Sequence, residues 1–336
     1  MATARKLPSG SWRVRVYTGK VNGKDQFASI TAPTKKQAEM EAALFTHKRS
    51  EPMTLGAAMD RYIQSKDEVL SPATVLGYKK MRRLCFNGII DKRLDRLNQE
   101  NIQWAISEYA AGHSSKSTRN ASGLLSAVLK MYSPGFQFSV TLPQKKKSQV
   151  VIPSHSDVQT LVAAINGTEM ETVLMLASVL GLRRSEICAL TWNDINLAAR
   201  TITISKAMVL ADDRTWVIKA PKTTASQRTL TIPDALHDHL KALQQAPGPV
   251  IDINPDAITK RFIRLRNKHN VSCRFHDLRH YYASLMLALG VPDKYAMQRM
   301  GHETDNMLKT VYQHLMDDKD QEVDQAINEK LNALFR

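Results

Sequence analysis

The hydrophobic period of this chain changes twice, and the changes limit what it can fold into. Residues 11–17 alternate, with Trp12, Val14 and Val16 on one side and Arg13, Arg15 and Tyr17 on the other. That is the period-two pattern of a half-buried strand. Asn22-Gly23 supplies a turn signal, and residues 26–31 read as a further strand. Thr34 then caps a helix expected from about Lys35 to His47. From Thr54 to about Tyr132 the pattern is helical. Leu55, Met59, Tyr62 and Ile63 make one apolar stripe, and Ser71-Pro72 opens a second helix with an N-cap serine and a proline at its first position. Two more helices are expected near 99–110 and 115–132. Pro134-Gly135, Pro143 and Lys145-Lys146-Lys147 read as a linker.

Beyond it the two periods mix. A capped helix starts near Ser154–Asp157, an apolar helix over 172–180 ends at Gly181, and another begins at Arg183 and runs to Leu190. Short alternating strands at 201–205, 216–219 and 228–232 are followed by helices with a break at Pro292. The expected fold class is mainly α with small β-sheets (α+β). It comprises a three-stranded sheet plus helix over 1–50, a four-helix bundle over 53–140, a mixed, mostly helical domain over 150–316 and a tail helix over 317–336. A length of 336 residues suits two or three domains.

Charge narrows the partners. The net charge is +15, and it is concentrated at the start of the chain. Residues 1–50 hold 10 basic against 3 acidic side chains, residues 51–147 hold 15 against 8, and residues 148–336 hold 22 against 21. Two basic N-terminal modules ahead of a nearly neutral half suggest grips for a polyanion, because cations gain free energy by displacing counterions from nucleic acid. No apolar run approaches the roughly 18–20 residues needed to cross a bilayer, and Met1–Lys6 leads into no apolar signal segment. Cys85, Cys188 and Cys273 are odd in number, far apart and outside any C-x-x-C pair. Reduced thiols in a cytoplasmic protein are therefore expected, without membrane contact.

The chemistry-bearing residues cluster late. Gly181-Leu182-Arg183-Arg184-Ser185-Glu186 is followed by Lys222, His276-Asp277-Leu278-Arg279-His280, Gly301-His302 and Thr310-Val311-Tyr312-Gln313-His314. A tyrosine downstream of two histidines and two arginines suggests a nucleophile inside a phosphate-binding cage. His276 and Arg279, three apart, share a face if helical and can meet one phosphate. His276 and His280 lack the H-E-x-x-H context of a zinc pair, so no metal is expected. Read singly, Tyr312 is also compatible with a core aromatic, since Leu308 precedes it by one helical turn.

Taken in order, Gly-Leu-Arg-Arg-Ser-Glu-Ile-x-x-Leu, His-x-x-Arg-His, Gly-His and Tyr-x-His resemble the tyrosine recombinase (phage integrase) family, and the resemblance extends over essentially the whole chain. It implies an enzyme that cuts and rejoins DNA through a 3′-phosphotyrosine, without metal, ATP or other cofactor, to integrate and excise a mobile element of the phage or conjugative-transposon type. By resemblance Arg183, Lys222, His276, Arg279, His302 and Tyr312 are the catalytic residues and Glu186 their support. Arg184 is the competing first arginine and Lys219 a less favoured substitute for Lys222. The implied domains are arm-binding (1–50), core-binding (53–140) and catalytic (150–316). DNA contacts are expected from Arg13 and Arg15 on the strand face, from Lys79, Lys80, Arg82 and Arg83 on one helix, from Lys116 and Arg119, and from Lys145, Lys146 and Lys147. The implied partners are double-stranded DNA with core-type and arm-type attachment sites, three further copies in a synaptic homo-tetramer, and an excisionase or DNA-bending accessory protein. Bound to DNA, such a protein associates with the bacterial nucleoid. The acidic tail over 317–336 places Val323, Ile327, Leu331 and Leu334 on one face and is expected to dock either on its own domain or on a neighbouring protomer. A type IB topoisomerase-like enzyme and an inactive DNA-binding regulator on the same scaffold are the alternatives.

Overall fold

The computed structural model describes residues 3–21, 24–50, 53–145, 151–220, 227–244 and 247–301. The chain divides into two compact units, Met1–Lys147 and Ser148–Arg336.

The first unit opens with an antiparallel sheet in the order β1 (Arg5–Lys6), β2 (Trp12–Val21), β3 (Lys24–Ala32). Alternation along β2 sends Val14 and Val16 into a small core with Ala32 and with Ala38 and Ala42 of α1 (Lys35–Ser50). Thr34 caps α1 by accepting from the Gln37 amide at 3.3 Å. The helix extends slightly beyond the expected end, and Asn22-Gly23 lies outside the described residues.

Four helices follow: α2 (Leu55–Gln64), α3 (Pro72–Leu84), α4 (Gln99–Ala111) and α5 (Ser115–Tyr132). Their shared core includes Leu55, Met59, Ile102, Ile106, Leu125 and Leu129. The presumed linker departs from its sequence reading. Phe136, Phe138, Val140 and Leu142 pack against the bundle core. Gln99 and Gln103 accept from the backbone amides of Ser139 and Thr141 at 3.0 and 2.8 Å, and Arg119 donates to the Pro143 carbonyl at 2.7 Å. Pro and Gly do stop α5, but the alternating apolar side chains behind them strap the segment onto the bundle.

The second unit is built around α7 (Glu169–Val179), whose Val173, Leu174, Leu176 and Ala177 are fully buried. It is preceded by α6 (His155–Ala163) and followed by a one-turn helix, α8 (Arg184–Ile187). A three-stranded sheet orders β4 (Ile195–Asn196), β5 (Thr201–Ile204) and β8 (Arg228–Thr231), and β6 (Ala207–Leu210) pairs with β7 (Trp216–Lys219). Then come α9 (Asp234–Leu243), α10 (Pro255–Lys268), α11 (Asp277–Ala288) and α12 (Asp293–Met300). The expected helix from Arg183 to Leu190 shrinks to that single turn, and the two-residue β4 and the hairpin partner β6 carry no sequence signal long enough to stand out. Among the described residues no helix is long and apolar enough to cross a membrane.

Candidate active site

Three places in the second unit converge: the turn after α7, the start of α11 and the end of α12. The turn depends on Gly181, at φ +64°, where an added Cβ would collide with the Tyr282 ring. It delivers Arg183 as the N-cap residue of α8, and the Arg183 amide donates to Glu186 Oε2 at 2.9 Å. His276 is the N-cap residue of α11 and Arg279 lies in its first turn. The three-residue spacing therefore does put both at one helix start. Asp277, almost fully buried, accepts from the Arg274 backbone amide at 2.7 Å and from its guanidinium at 2.8 and 3.0 Å, which pins this start.

Glu186 is the hub. Its Oε1 accepts from Arg183 Nη1 at 2.6 Å and from Arg228 Nη1 at 3.2 Å, and its Oε2 accepts from Arg228 Nη2 at 2.9 Å. Burial would raise this carboxyl, but the hydrogen bonds and charge of Arg228, joined by Arg183, outweigh it and hold the group at about 2. Glu186 is therefore a carboxylate at any working pH. Arg228 is the residue that reading the sequence for motifs overlooked. The available signal was phase: Arg228 falls on the same side of β8 as the buried Leu230, while Thr229 and Thr231 face out.

The three guanidiniums also meet the end of α12. Arg228 Nε donates to the Arg299 carbonyl at 2.8 Å, Arg279 Nη2 to the Met300 carbonyl, and Arg183 Nη2 to the Gly301 carbonyl at 2.9 Å. The last carbonyls of a helix have no partner within it and carry the negative end of its dipole. Three arginines distant in sequence thus cap three consecutive carbonyls. Arg279 also donates to the Gly181 carbonyl, which joins all three converging places through one fully buried side chain. Burial, then the charge of Arg183, pushes the Arg279 guanidinium well below its ordinary value, with Glu186 opposing. Crowding of cations around one carboxylate is costly without an anion to receive them.

A cleft of about 490 Å³ opens beside this cluster. Arg183, Arg184, Arg266, Arg274 and His276 line it, together with Ser185, Thr259 and the apolar Phe262, Ile263 and Phe275. Arg184 donates to Thr259 of α10 and stays on the cleft wall, whereas Arg183 alone of the two holds Glu186. The imidazole of His276 is open to the cleft, yet desolvation by the surrounding protein lowers it to about 4, followed by the charges of His280 and Arg279. At neutral pH it is an uncharged ring able to accept a proton.

The remaining sequence expectations are scattered. Lys222, His302 and Tyr312 lie outside the described residues, as do Lys146, Lys147 and the tail. Lys219 ends β7 and is exposed. Among the expected DNA contacts, Arg15 is exposed and stacks over Phe27 at 4.6 Å, and Arg13 is half-buried opposite Thr31. Lys80, Arg83, Lys116 and Lys145 are exposed, and Lys79 is half-buried. Arg82 pairs with Asp60 at 2.9 Å and donates to the Gly56 carbonyl, and Arg119 is committed to Pro143.

The described part of the site is thus an arginine–carboxylate cluster beside a basic cleft that His276 also lines. The phage integrase family model matches residues 153–319, the stretch that holds this cluster, and the chain belongs to the tyrosine recombinase (phage integrase) family. It is 25% identical over 306 residues to the integrase of Escherichia phage HK022, covering 85% of this chain and 84% of that one. It is 24% identical over 208 residues to a XerC-like tyrosine recombinase of Caldanaerobacter subterraneus subsp. tengcongensis, where the match spans about half of each protein, 52% and 53%. The fold is similar to that of the Tn1549 transposon integrase in complex with transposon right end DNA, with a TM-score of 0.66, 17% identity and coverage of 77% of this chain and 95% of that one. It is also similar to that of a lambda integrase tetramer bound to a Holliday junction, with a TM-score of 0.57, 16% identity and coverage of 92% and 94%.

Proposed function

We propose that this protein is a site-specific DNA recombinase that cuts and rejoins DNA through a 3′-phosphotyrosine at Tyr312, integrating and excising a mobile element. The observation that carries the reading is the buried cluster of Glu186 and Arg279 beside a cleft that Arg183 and His276 line. Arg183 and Arg279 hold the non-bridging oxygens of the scissile phosphate and balance the charge that builds on them as five oxygens crowd phosphorus. His302 adds a further hydrogen bond. A phenol of pKa about 10 is a poor nucleophile at neutral pH. His276, uncharged in the free protein, takes the Tyr312 proton as its oxygen bonds to phosphorus. The bond to the 5′-oxygen breaks, and Lys222 supplies the proton that this oxygen leaves with. The phosphodiester energy is kept in the tyrosyl link, so a free 5′-hydroxyl reverses the step on the same or another strand.

In this reading residues 1–50 take arm-type sites, 53–140 core-type sites and 150–316 cleavage. The partners are double-stranded DNA, three further copies at synapsis and a bending or excision factor, and the setting is the bacterial cytoplasm and nucleoid. The tail over 317–336 docks on a neighbouring protomer, so that deleting 320–336 abolishes cooperative synapsis while cleavage of an isolated site persists.

The test is a nicked suicide substrate from the element's end, scored for an SDS-resistant protein–DNA band with Tyr312→Phe alongside. A band lost in the variant supports the reading. A band that persists moves the nucleophile elsewhere, and no band despite tight binding to a verified site favours a regulator.

A further inference from the structure

The cage contains one arginine that the chemistry above does not use. The side chain of Arg228 is 4% exposed and donates to both oxygens of Glu186, the carboxylate that also holds Arg183. Arg183 lines the cleft, whereas Arg228 is not part of its lining and donates to Glu186 and to the Arg299 carbonyl.

Its charge still matters there. Glu186 orients Arg183 through a 2.6 Å ion pair, but a carboxylate paired to Arg183 alone would cancel the charge of the guanidinium meant for the phosphate. An incoming dianionic transition state would then face a neutral pair in a desolvated pocket, where uncompensated charge counts most. Arg228 makes two contacts to the same carboxylate, one on each oxygen. The triad Arg183–Glu186–Arg228 carries a net single positive charge, and that charge is exposed only at Arg183. The same side chain holds the Arg299 carbonyl, so the counter-charge is fixed to the helix end that Arg183 and Arg279 cap.

We infer that Arg228 is a positioning residue for strand cleavage: it neutralises Glu186, so that the glutamate can aim Arg183 without discharging it. This rests on the recombinase reading. A purely structural role for Arg228 makes a different prediction: relieving the buried charge of Glu186 would then restore the melting temperature, and cleavage only as far as folding recovers.

The experiment compares wild type, Arg228→Lys, Arg228→Met and the double variant Arg228→Met/Glu186→Gln. Each is followed by single-turnover formation of the covalent adduct at saturating protein, by DNA affinity and by thermal melting. Arg228→Met is expected to slow adduct formation roughly 100-fold or more, the scale of losing one preorganised transition-state donor, with affinity changed far less. The double variant restores the charge at Arg183 and is expected to recover about tenfold or more of the lost rate, equivalent to about 1.4 kcal/mol. Arg228→Lys keeps the charge and retains more activity than Arg228→Met. A folded double variant no faster than Arg228→Met overturns the inference. If Arg228→Met does not fold, an Arg228→Lys protein that melts like wild type yet cleaves no faster than the double variant overturns it equally. If wild type itself forms no adduct on a verified site, the recombinase reading fails first. The inference is then judged on affinity at fixed salt, where Arg228→Met must bind more weakly than the double variant.

Discussion

Arg183 donates to the Gly301 carbonyl at 2.9 Å, which ties the first cation of the cleft to the residue immediately before His302. Gly301 adopts φ 61°, ψ 52° as the C-cap of α12, a left-handed conformation that glycine enters without strain. Gly301→Ala should cost about 1–2 kcal/mol in chemical denaturation. Cleavage should fall further, by roughly a hundredfold, because the shifted carbonyl draws Arg183 from its place at the cleft. Equal losses in stability and rate would show that the link transmits nothing.

Gly181 presents the same restriction at the other end of the cage. At φ +64° and packed on Tyr282, it leaves its carbonyl to Arg279. Gly181→Ala combines left-handed strain with overpacking, and a loss of about 2–4 kcal/mol is expected. Pairing it with Tyr282→Leu, which opens space for the methyl group, should recover the packing part alone. A melting temperature unchanged by Gly181→Ala would contradict the packing described.

The sequence showed these positions unequally. Motif order picked out Arg183, Glu186, His276 and Arg279, because a short cap turn and a helix start are set by nearby residues. The period-two run around Val14 and the apolar stripe of α2 were equally local and equally readable. What stayed hidden was long-range. Arg228 is 42 residues from Glu186 and announces itself only by falling in phase with buried Leu230. Arg82 looked like one of four exposed helix cations, but its partner Asp60 is 22 residues away. Pro134-Gly135 marks the end of a helix, and nothing local says that the chain then turns back onto the bundle.

That return can be measured. Phe136, Phe138, Val140 and Leu142 are partly buried against the bundle core. Full burial of such side chains is worth about 1.5–3 kcal/mol each. Changing Phe136 and Phe138 together to Ser in the full chain should lower the unfolding free energy of the first unit by about 2–4 kcal/mol. A free linker would lose nothing, and that result would reject the strapped arrangement.

Two depressed groups at the site contribute to the pH response of the second unit. His276 is held at about 4 against an ordinary 6.5. Between those values the unfolded chain binds a proton that the folded chain refuses, so this contribution is complete above pH 6.5 and lost as pH falls through about 4. Glu186, at about 2 against an ordinary 4.5, adds a second loss over that lower window. His276→Gln should flatten the upper part of the stability profile and Glu186→Gln the lower part. Histidine NMR of the DNA-free protein should find the His276 ring uncharged at pH 6. A ring titrating near 6.5 would show that folding does not depress this group and would remove its part in the acid loss of stability.

On the N-terminal sheet, Arg13 and Arg15 alternate with the buried Val14 and Val16, so a strand that must bury one face has no choice but to present the other. That face also carries Tyr17 and Phe27, whose rings meet edge-on at 5.6 Å and brace Arg15 from below. Neither arginine is needed for the core, and Arg13→Ala/Arg15→Ala should leave the melting temperature nearly unchanged. If each cation meets one phosphate, the dependence of log affinity on log salt for arm-type DNA should become shallower by about 2. Core-type DNA, which the proposed function assigns to residues 53–140, should keep its slope. A double variant with the wild-type slope on both would leave the sheet without a DNA role and return the basic character of this segment to solubility alone.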